Sequence, residues 1–430
     1  MTTLTRSEHH VSRKHINPHA LKVLYRLHDA GFSAYLVGGS VRDLLLNKTP
    51  KDFDVATDAK PEQIKKLFRN CLLIGRRFRI AHVRFGHDII EVTTFRAHST
   101  NDLAERAHSK LGMLLRDNVY GTIEEDAFRR DFTVNALYYN IADFSIIDFT
   151  DGIADLRNQT LRMIGTAKTR YQEDPVRLLR AIRFAAKLDF FLHPETENPI
   201  YTSAKLLTQV PPARLFDEFL KLFFYGHAAK TYVLLEKYDL LKYLLPIEKD
   251  TLSEPMQALV MQALAKTDER VSEDLSVNPA FLLAIFLWHH YVAQQQLLRE
   301  KRLSPQLASH QALLFVLNTQ QLPMGIPKRL TEIIRDVWSL QWRFTTMNKQ
   351  NAIHVSLHKR HRAAYDFLML RAAIDTTLTE TADWWTTFFA SEEDAQQQLL
   401  EQLPSVKKRP RYKNKRKPRE SSDRLPRTGQ

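Results

Sequence analysis

Two neighbouring segments organise this sequence, Tyr35-Leu-Val-Gly-Gly-Ser-Val-Arg-Asp-Leu-Leu-Leu46 and Asp52-Phe-Asp-Val-Ala-Thr57. The first predicts a strand over Ala34–Val37, a two-glycine turn and a short helix that begins near Ser40. The second predicts a strand that carries two aspartates separated by one residue. Strand, turn, helix and strand in this order indicate a small α/β domain near the beginning of the chain.

The adjacent glycines Gly38 and Gly39 indicate a backbone that a ligand approaches closely. The chain has only 12 glycines in 430 residues, and two of them follow an apolar run side by side. The helix after them would point its free N–H groups and the positive end of its dipole at this turn, which suits a phosphate. Arg42 would add a positive charge beside it.

The aspartates Asp52 and Asp54 would project from the same face of their strand, with Phe53 turned into the core. Two carboxylates this close raise each other's pKa unless a cation lies between them. Mg²⁺ takes oxygen ligands, usually one or two carboxylates together with substrate phosphates. A phosphate-binding turn beside a carboxylate pair therefore predicts a metal-dependent phosphoryl or nucleotidyl transfer site. The pair alone would indicate a solvated turn or strand edge.

Gly38-Gly-Ser-Val-Arg-Asp43 followed by Asp52-Phe-Asp54 resembles the first motif of the class II nucleotidyltransferases, the group of bacterial poly(A) polymerases and CCA-adding enzymes. The resemblance implies an α/β nucleotidyltransferase head, built on a small mixed sheet with helices, followed by an all-α neck and body. It also implies Mg²⁺ as the metal, held by the two aspartates, with Mn²⁺ as a second candidate.

Glu91 lies in an otherwise apolar predicted strand, Ile89-Ile-Glu-Val-Thr-Thr-Phe95. A lone carboxylate that faces a core would be costly. We expect Glu91 to face the two aspartates from the adjacent strand, as a third metal ligand or as a support for the ligands. The alternative is an edge strand that leaves Glu91 in water.

Four polar residues stand among apolar neighbours near residue 130, namely Arg129, Arg130, Asp131 and Asn135. On a helix, Asp131 and Asn135 would share a face. Two arginines beside a metal-carboxylate site would bind a triphosphate, because guanidinium groups match phosphate oxygens. Alternatively, they pair with the acidic residues at 124–126. The resemblance places Arg-Arg-Asp-Phe in the active centre and implies that Asp131 joins the two strand aspartates there.

The segment Glu173-Asp-Pro-Val-Arg-Leu-Leu-Arg-Ala-Ile-Arg-Phe184 opens the first helix of the later part of the chain. Asp174 is a suitable N-cap and Pro175 a suitable first helical residue. The arginines recur every three residues on one face, which a solvated basic face would also explain. Similar segments in the family read the edge of the incoming base. The resemblance therefore implies that Asp174 and Arg177 select adenine and that Arg180 contacts phosphate or base.

Composition changes from turn-rich α/β to helical near Gly165, since nine of the twelve glycines lie within the first 165 residues. We expect four parts: a nucleotidyltransferase head over 1–160, a helical neck with base selection over 161–225, a helical RNA-binding body over 226–402 and a disordered basic tail over 403–430. Residues 1–17 are polar and predict a loosely ordered lead-in.

No apolar run reaches the roughly 20 residues that span a bilayer, and residues 1–20 lack a hydrophobic signal core. We therefore expect a soluble, cytoplasmic protein. The single cysteine, Cys71, excludes an internal disulfide and suits a reducing compartment. It begins an apolar strand, where a small buried residue is expected rather than a nucleophile.

The net charge of +13 is concentrated at the C-terminal end, where residues 405–430 contain eleven Lys or Arg against Glu420 and Asp423. Such a block repels itself and cannot bury a core, so we expect it to be disordered. Its natural partner is a polyanion, bound in a salt-dependent manner, although a solvated tail without a specific role is the alternative. The predicted RNA contacts are Lys407, Lys408, Arg409, Arg411, Lys413, Lys415, Arg416 and Lys417.

Leu72-Leu-Ile-Gly-Arg-Arg-Phe-Arg-Ile-Ala-His-Val83 is similar to the signature that sets bacterial poly(A) polymerases apart from CCA-adding enzymes, and a basic tail is typical of that branch. The resemblance implies template-independent addition of AMP from ATP to RNA 3′ ends, which tags mRNA and other RNAs for processing or decay. It implies ATP and RNA 3′ ends as partners, with RNA-decay or RNA-chaperone proteins as further candidates. The alternatives are a CCA-adding enzyme, which would also use CTP, and a non-catalytic RNA-binding protein.

Overall fold

A computed structural model of the chain describes residues 1–75, 79–97, 119–245 and 252–405. Contacts divide the chain into two compact units, Met1–Arg335 and Asp336–Gln430. The two units do not test the predicted division into head, neck, body and tail, which stays a prediction. Within the described ranges, every helix is too short or too polar to cross a membrane.

The described residues form ten strands. These are β1 (Thr2–Leu4), β2 (Ala34–Val37), β3 (Asp54–Thr57), β4 (Cys71–Ile74), β5 (Ile80–Phe85), β6 (Asp88–Thr94), β7 (Leu137–Asn140), β8 (Ile146–Asp148), β9 (Thr160–Leu161) and β10 (Phe191–Leu192).

The helices of the first unit begin with α1 (Pro18–Asp29), α2 (Gly39–Leu45), α3 (Pro61–Leu67), α4 (Ile123–Arg129), α5 (Gly152–Arg157), α6 (Ala167–Glu173), α7 (Val176–Leu188), α8 (Pro194–Ser203), α9 (Pro212–Phe223) and α10 (Ala228–Lys237). They continue with α11 (Glu254–Ser272), α12 (Pro279–Phe286), α13 (Trp288–Glu300) and α14 (Pro305–Gln320). Helix α15 (Lys328–Thr345) spans the division. The second unit continues with α16 (Lys349–Ser356), α17 (His361–Ala372), α18 (Thr379–Ala390) and α19 (Glu393–Gln402).

Eight of these strands form one mixed sheet in the order β1-β8-β7-β2-β3-β6-β5-β4. Of its neighbouring pairs, only β3 and β6 run parallel. Strands β9 and β10 form a separate parallel pair. The small mixed sheet with helices that the sequence predicted is confirmed. The parallel pair at its centre brings the beginning of β3 beside the middle of β6, and this position carries the acidic residues.

Local sequence explains how the first helix packs on this sheet. Helix α1 begins after Asn17, whose side-chain oxygen accepts a hydrogen bond from the His19 N–H at 2.7 Å. Val23, Leu24 and Leu27 recur at helical spacing and are completely buried. Helix α1 therefore buries one apolar face.

The polar N-terminal segment is better ordered than we expected. Strand β1 pairs antiparallel with β8, so that Thr2 lies opposite Asp148. Val11 and Ile16 are buried, and the His9 Nε2 atom lies 2.9 Å from the carbonyl oxygen of Phe144. The prediction of a loose lead-in was wrong because the partner strand lies more than 140 residues away, beyond the reach of any local pattern.

The later part of the chain is helical, as predicted. Residues 279–300 form two helices, since α12 ends at Phe286 and α13 begins at Trp288. In the second unit, buried aromatic side chains form the core, and the Trp385 Nε1–H donates a hydrogen bond to the Phe344 carbonyl oxygen at 3.2 Å. The basic residues expected to contact RNA, 407–417, lie outside the described residues.

Candidate active site

The two aspartates of the opening motif lie at the beginning of β3. Asp54 is its first residue, and Asp52 precedes the strand rather than belonging to it, which corrects the prediction of a strand through both. Phe53 between them is buried, with 8% of its surface exposed, as expected. Asp52 is exposed and Asp54 half-buried, so both carboxylates lie where a ligand can reach them.

Glu91 lies directly beside Asp54 in the sheet. The parallel register of β3 and β6 pairs these two residues, so their side chains project from the same face. Glu91 is also opposite His82 on β5, and its Oε1 atom is 3.3 Å from the His82 Nε2 atom. Its side chain is 46% exposed. Glu91 therefore both faces Asp54 and reaches water.

The charges around Asp54 show how close these groups lie. Burial raises the pKa of Asp54, the charges of Glu91 and Asp52 raise it further and Arg130 lowers it, which leaves the pKa at about 6. Negative charge is thus incompletely balanced at this point of the sheet. Such a set of oxygen ligands suits a hard divalent cation.

A metal bound here would not be enclosed by the protein. Among the residues that the structure describes, no three His, Cys, Asp or Glu side chains are grouped so as to hold a metal ion. The candidate ligands are the carboxylates of Asp52 and Asp54 with Glu91 beside them. Such a set fits an ion whose remaining coordination positions are filled by water or phosphate oxygens.

Asp131 has different partners from the strand aspartates. Helix α4 ends at Arg129, and Thr133–Asn135 form a 3₁₀ turn, so the predicted helix through Asp131 and Asn135 was wrong. The two residues still touch, because the Asn135 Nδ2–H donates to the Asp131 Oδ1 atom at 3.4 Å. That oxygen also accepts the Phe132 N–H at 2.9 Å.

The second oxygen of Asp131 is bound by Arg180 of α7, which donates to Oδ2 from Nε at 2.7 Å and also from Nη2. Burial opposes ionisation of Asp131, but the charge and hydrogen bonds of Arg180 outweigh it and lower the pKa of Asp131 to about 2. Both oxygens of Asp131 are therefore engaged. Its catalytic role stays a prediction, and its metal-binding role would require an exchange of partners.

Gly38 and Gly39 lie where a ligand could approach the backbone. Gly38 has φ +77°, a left-handed conformation that favours glycine, and Gly39 begins α2. A Cβ atom at Gly38 would lie 3.5 Å from the Arg130 Nη1 atom and 3.6 Å from the Asn135 carbonyl oxygen. The turn is therefore packed against the segment that follows α4.

Arg42 does not face this turn as a free charge. Its side chain is buried and donates to the Asp43 Oδ1 atom from Nε at 2.8 Å and from Nη2 at 2.7 Å. Its Nη1 atom donates to the Asn135 Oδ1 atom at 2.5 Å. Arg42 thus fixes Asn135, and the structure gives it a supporting place beside the predicted phosphate site.

Arg130 fits both interpretations that the sequence offered for the Arg129-Arg130 pair. Arg130 donates to Asp126 Oδ2 from Nε at 3.1 Å and Nη2 at 2.9 Å, as the alternative of pairing with acidic residues required. Its Nε also donates to the Tyr138 hydroxyl oxygen at 3.0 Å. Because its charge still lowers the pKa of Asp54, Arg130 lies near the carboxylates as well.

The predicted base-selecting residues lie at the beginning of α7. Asp174 precedes Pro175, and its Oδ2 atom accepts a hydrogen bond from Arg214 Nη2 at 2.8 Å. The Arg177 Nη1 atom donates to the Glu173 Oε2 atom at 2.9 Å. The structure therefore fixes the positions of both side chains.

Comparison with known proteins places the chain in a family. Three segments match, in turn, a poly A polymerase head domain (residues 34–162), a probable RNA and SrmB-binding site of polymerase A (189–251) and a polymerase A arginine-rich C-terminus (301–421). The chain is 48% identical over 432 residues to Poly(A) polymerase I of Escherichia coli O157:H7, which covers 97% of this chain and 93% of that one.

The chain belongs to the poly(A) polymerase family. It is also 46% identical to Poly(A) polymerase I of Haemophilus influenzae, over 94% of this chain and 91% of that one. The CCA-adding enzyme of Lactobacillus gasseri is 40% identical over 204 residues, but these cover only 47% of this chain and 49% of that one. Likeness along nearly the whole chain thus separates the poly(A) polymerase branch from the other.

The fold is shared across both branches. The Thermotoga maritima CCA-adding enzyme in complex with tRNA covers 95% of this chain and 92% of its own, with a TM-score of 0.62 at 20% identity. The predicted nucleotidyltransferase fold is therefore confirmed.

Several residues of this family member were missed by the sequence reasoning. Tyr138 holds Arg130 together with Asp126, which the alternative interpretation of the arginine pair had included. Arg214 holds Asp174 from 40 residues away, which no local pattern could indicate. Arg170 and Glu173 lie in α6, next to the predicted base-selecting segment.

Proposed function

We propose that this chain is a template-independent polynucleotide adenylyltransferase, which transfers AMP from ATP to RNA 3′ ends and releases pyrophosphate. The observation that carries the proposal is the acidic face of the sheet, where Asp54 lies beside Glu91 with Arg130 close by. Carboxylates that hold a metal next to a fixed guanidinium can bind a triphosphate. Likeness to Poly(A) polymerase I along nearly the whole chain favours ATP as the donor.

Asp52 and Asp54, supported by Glu91, would hold a divalent cation, with Mg²⁺ as the first candidate and Mn²⁺ as the second. When bound there, such an ion lowers the pKa of the RNA 3′-hydroxyl group and balances the charge of the triphosphate. The protein keeps this site open, so the nucleotide itself completes it.

The side chains around the carboxylates would orient the donor. Arg130 is held by Asp126 and Tyr138 and would bind the triphosphate without first having to be ordered. The left-handed turn at Gly38 keeps side-chain atoms away from the same region. Arg177 and Asp174, each held by a neighbour, would recognise the edge of adenine, so that no template strand is needed.

RNA would bind mainly through its backbone, on the helical body and on the basic residues 407–417, with little sequence preference. The match of 189–251 to a probable RNA and SrmB-binding site supports the end of the neck and the beginning of the body as a docking region for RNA and for an RNA-decay or RNA-chaperone protein. We propose the cytoplasm as its location, since such RNA substrates occur there.

The test is extension of an unstructured RNA in the presence of Mg²⁺ with ATP or with CTP. We expect long products with ATP alone, and loss of extension in Asp54→Ala with RNA binding retained. The similarity to a CCA-adding enzyme, which covers about half of each chain, makes CTP incorporation on tRNA the second candidate function. Efficient use of CTP would favour that enzyme, and binding without extension would favour a non-catalytic RNA-binding protein.

A further inference from the structure

Arg170 of α6 is a buried arginine between the two arginine-bearing segments of the site. Only 8% of its side-chain surface is exposed. Its Nη2 atom donates to the backbone carbonyl oxygens of Arg129 at 2.5 Å and Arg130 at 2.6 Å. The last carbonyl groups of a helix have no partner within the helix, so a cation at this point both caps α4 and fixes the Arg129-Arg130 backbone.

The other side of the Arg170 guanidinium faces the beginning of α7. Its Nη1 atom donates to the Glu173 Oε2 atom at 2.9 Å, and the Arg177 Nη1 atom donates to the same oxygen, also at 2.9 Å. The Arg177 Nη1 atom donates in addition to the Arg170 carbonyl oxygen at 2.8 Å. Arg177 is thus held by Arg170 twice, once through Glu173 and once through the Arg170 backbone.

We propose that Arg170 is a positioning residue that fixes Arg177 relative to the Arg129-Arg130 segment, so that the base and the triphosphate of one nucleotide are recognised together. The inference rests on the proposed function, in which Arg177 selects adenine. Arg170 itself would not touch the substrate. Arg170 would act by orienting the Arg177 guanidinium, which would contact the substrate.

The contacts of Arg170 require the planar, forked guanidinium group and not merely a positive charge. Arg170 makes bonds in two directions from two nitrogens of one rigid plane, whereas a lysine would offer a single ammonium group on a flexible stem. In Arg170→Lys the charge remains but the carbonyls and Glu173 can no longer be bound together. Selection between nucleotides should then weaken while the fold is kept.

The test is a double-mutant cycle on nucleotide selection, measured as the ratio of kcat/KM for ATP to kcat/KM for CTP in single-nucleotide addition to RNA. We expect Arg170→Lys and Arg177→Lys each to lower this ratio by about tenfold or more, mainly through a higher KM for ATP. If Arg170 acts through Arg177, the ATP-to-CTP ratio of the double variant should lie within about twofold of the ratio of the more severely impaired single variant.

Arg162→Lys is the matched control. Arg162 lies in the same unit and donates to Asp155 from Nε and Nη2 at 3.0 to 3.2 Å, so its side-chain partner is not one of the predicted base-selecting residues. This variant should lower the thermal unfolding temperature without changing the nucleotide ratio. If Arg170→Lys does not fold, Glu173→Gln tests the same link, because it removes the carboxylate charge that the two arginines share.

The outcomes separate the two levels of the proposal. A wild-type enzyme that does not prefer ATP would overturn the proposed function and this inference with it. A wild-type preference that survives in Arg170→Lys, or single effects that multiply in the double variant, would overturn the inference alone. The same holds if Arg177→Lys keeps the preference.

Discussion

Arg180 donates two hydrogen bonds to one oxygen of Asp131, and this part-buried ion pair connects helix α7 to the segment that follows α4. The pair joins the helix predicted to contact the base and phosphates to the segment that carries Arg130, whose charge lowers the pKa of Asp54. Its formation requires both charges, because a charge left alone in a buried position is costly.

Asp131→Asn should destabilise the protein at neutral pH, and the loss should shrink in acid. The folded-state pKa of Asp131 is about 2, below its ordinary value of 3.8, so its stabilisation is present above pH 4 and is lost as the pH falls towards 2. We expect a lower free energy of unfolding by about 2 kcal/mol at pH 7. Urea titrations at pH 7 and pH 3.5 would measure it.

Asp189→Asn is the control for this change, since the side chain of Asp189 is 80% exposed and pairs only with a surface lysine. It should change the free energy of unfolding by less than about 0.5 kcal/mol at either pH. Equal losses in the two variants would mean that the Arg180 pairing contributes nothing specific.

Asp54→Asn should stabilise the metal-free protein while abolishing catalysis. Removing this charge relieves its burial and its repulsion from Glu91 and Asp52, and we expect a gain of about 1–2 kcal/mol at pH 7.5. Mg²⁺ should raise the unfolding temperature of the wild type and leave that of the variant unchanged. Differential scanning calorimetry with and without Mg²⁺ measures both effects, and a metal response kept by the variant would place the ion elsewhere.

Gly38→Ala should reduce ATP use more than a comparable change elsewhere. Gly38 and Gly86 both have positive φ, of +77° and +63°, so an alanine at either costs about 1–2 kcal/mol. Only Gly38 lies against Arg130, at 3.5 Å from the added Cβ atom, whereas no atom lies within 4 Å at Gly86. We expect a higher KM for ATP in Gly38→Ala alone. Equal kinetics in the two variants would remove Gly38 from the nucleotide site.

Removal of residues 406–430 should weaken RNA binding and flatten its salt dependence. Each lysine or arginine that contacts single-stranded RNA contributes about 0.7 to the slope of log K against log salt concentration. Loss of the eight predicted contacts would therefore reduce the magnitude of this slope by about 6. Fluorescence anisotropy from 50 to 300 mM salt measures this, with an uncharged tail of the same length as control. An unchanged slope would show that this segment does not contact RNA.

Much of the head could be predicted from local pattern. The apolar run before the paired glycines at 38 and 39 predicted β2 over Ala34–Val37, and Glu91 was expected beside Asp54. These inferences succeeded because strands and turns depend on residues close in sequence. Strand β1 and the Arg214 contact with Asp174 were missed, since each depends on a partner 40 or more residues away.

Residue types and spacing were enough to indicate the chemistry, because carboxylates two residues apart beside a glycine turn suit few other purposes. Which partner each of those residues contacts depends on segments that are far apart in the chain. Burial placed Arg42 on Asp43 and Asn135, and it gave Asp131 to Arg180 rather than to an open metal site. A buried charge pairs with the opposite charge that the tertiary structure brings close to it, because an unpaired buried charge is costly. The distance between two such charges cannot be predicted from either local segment alone.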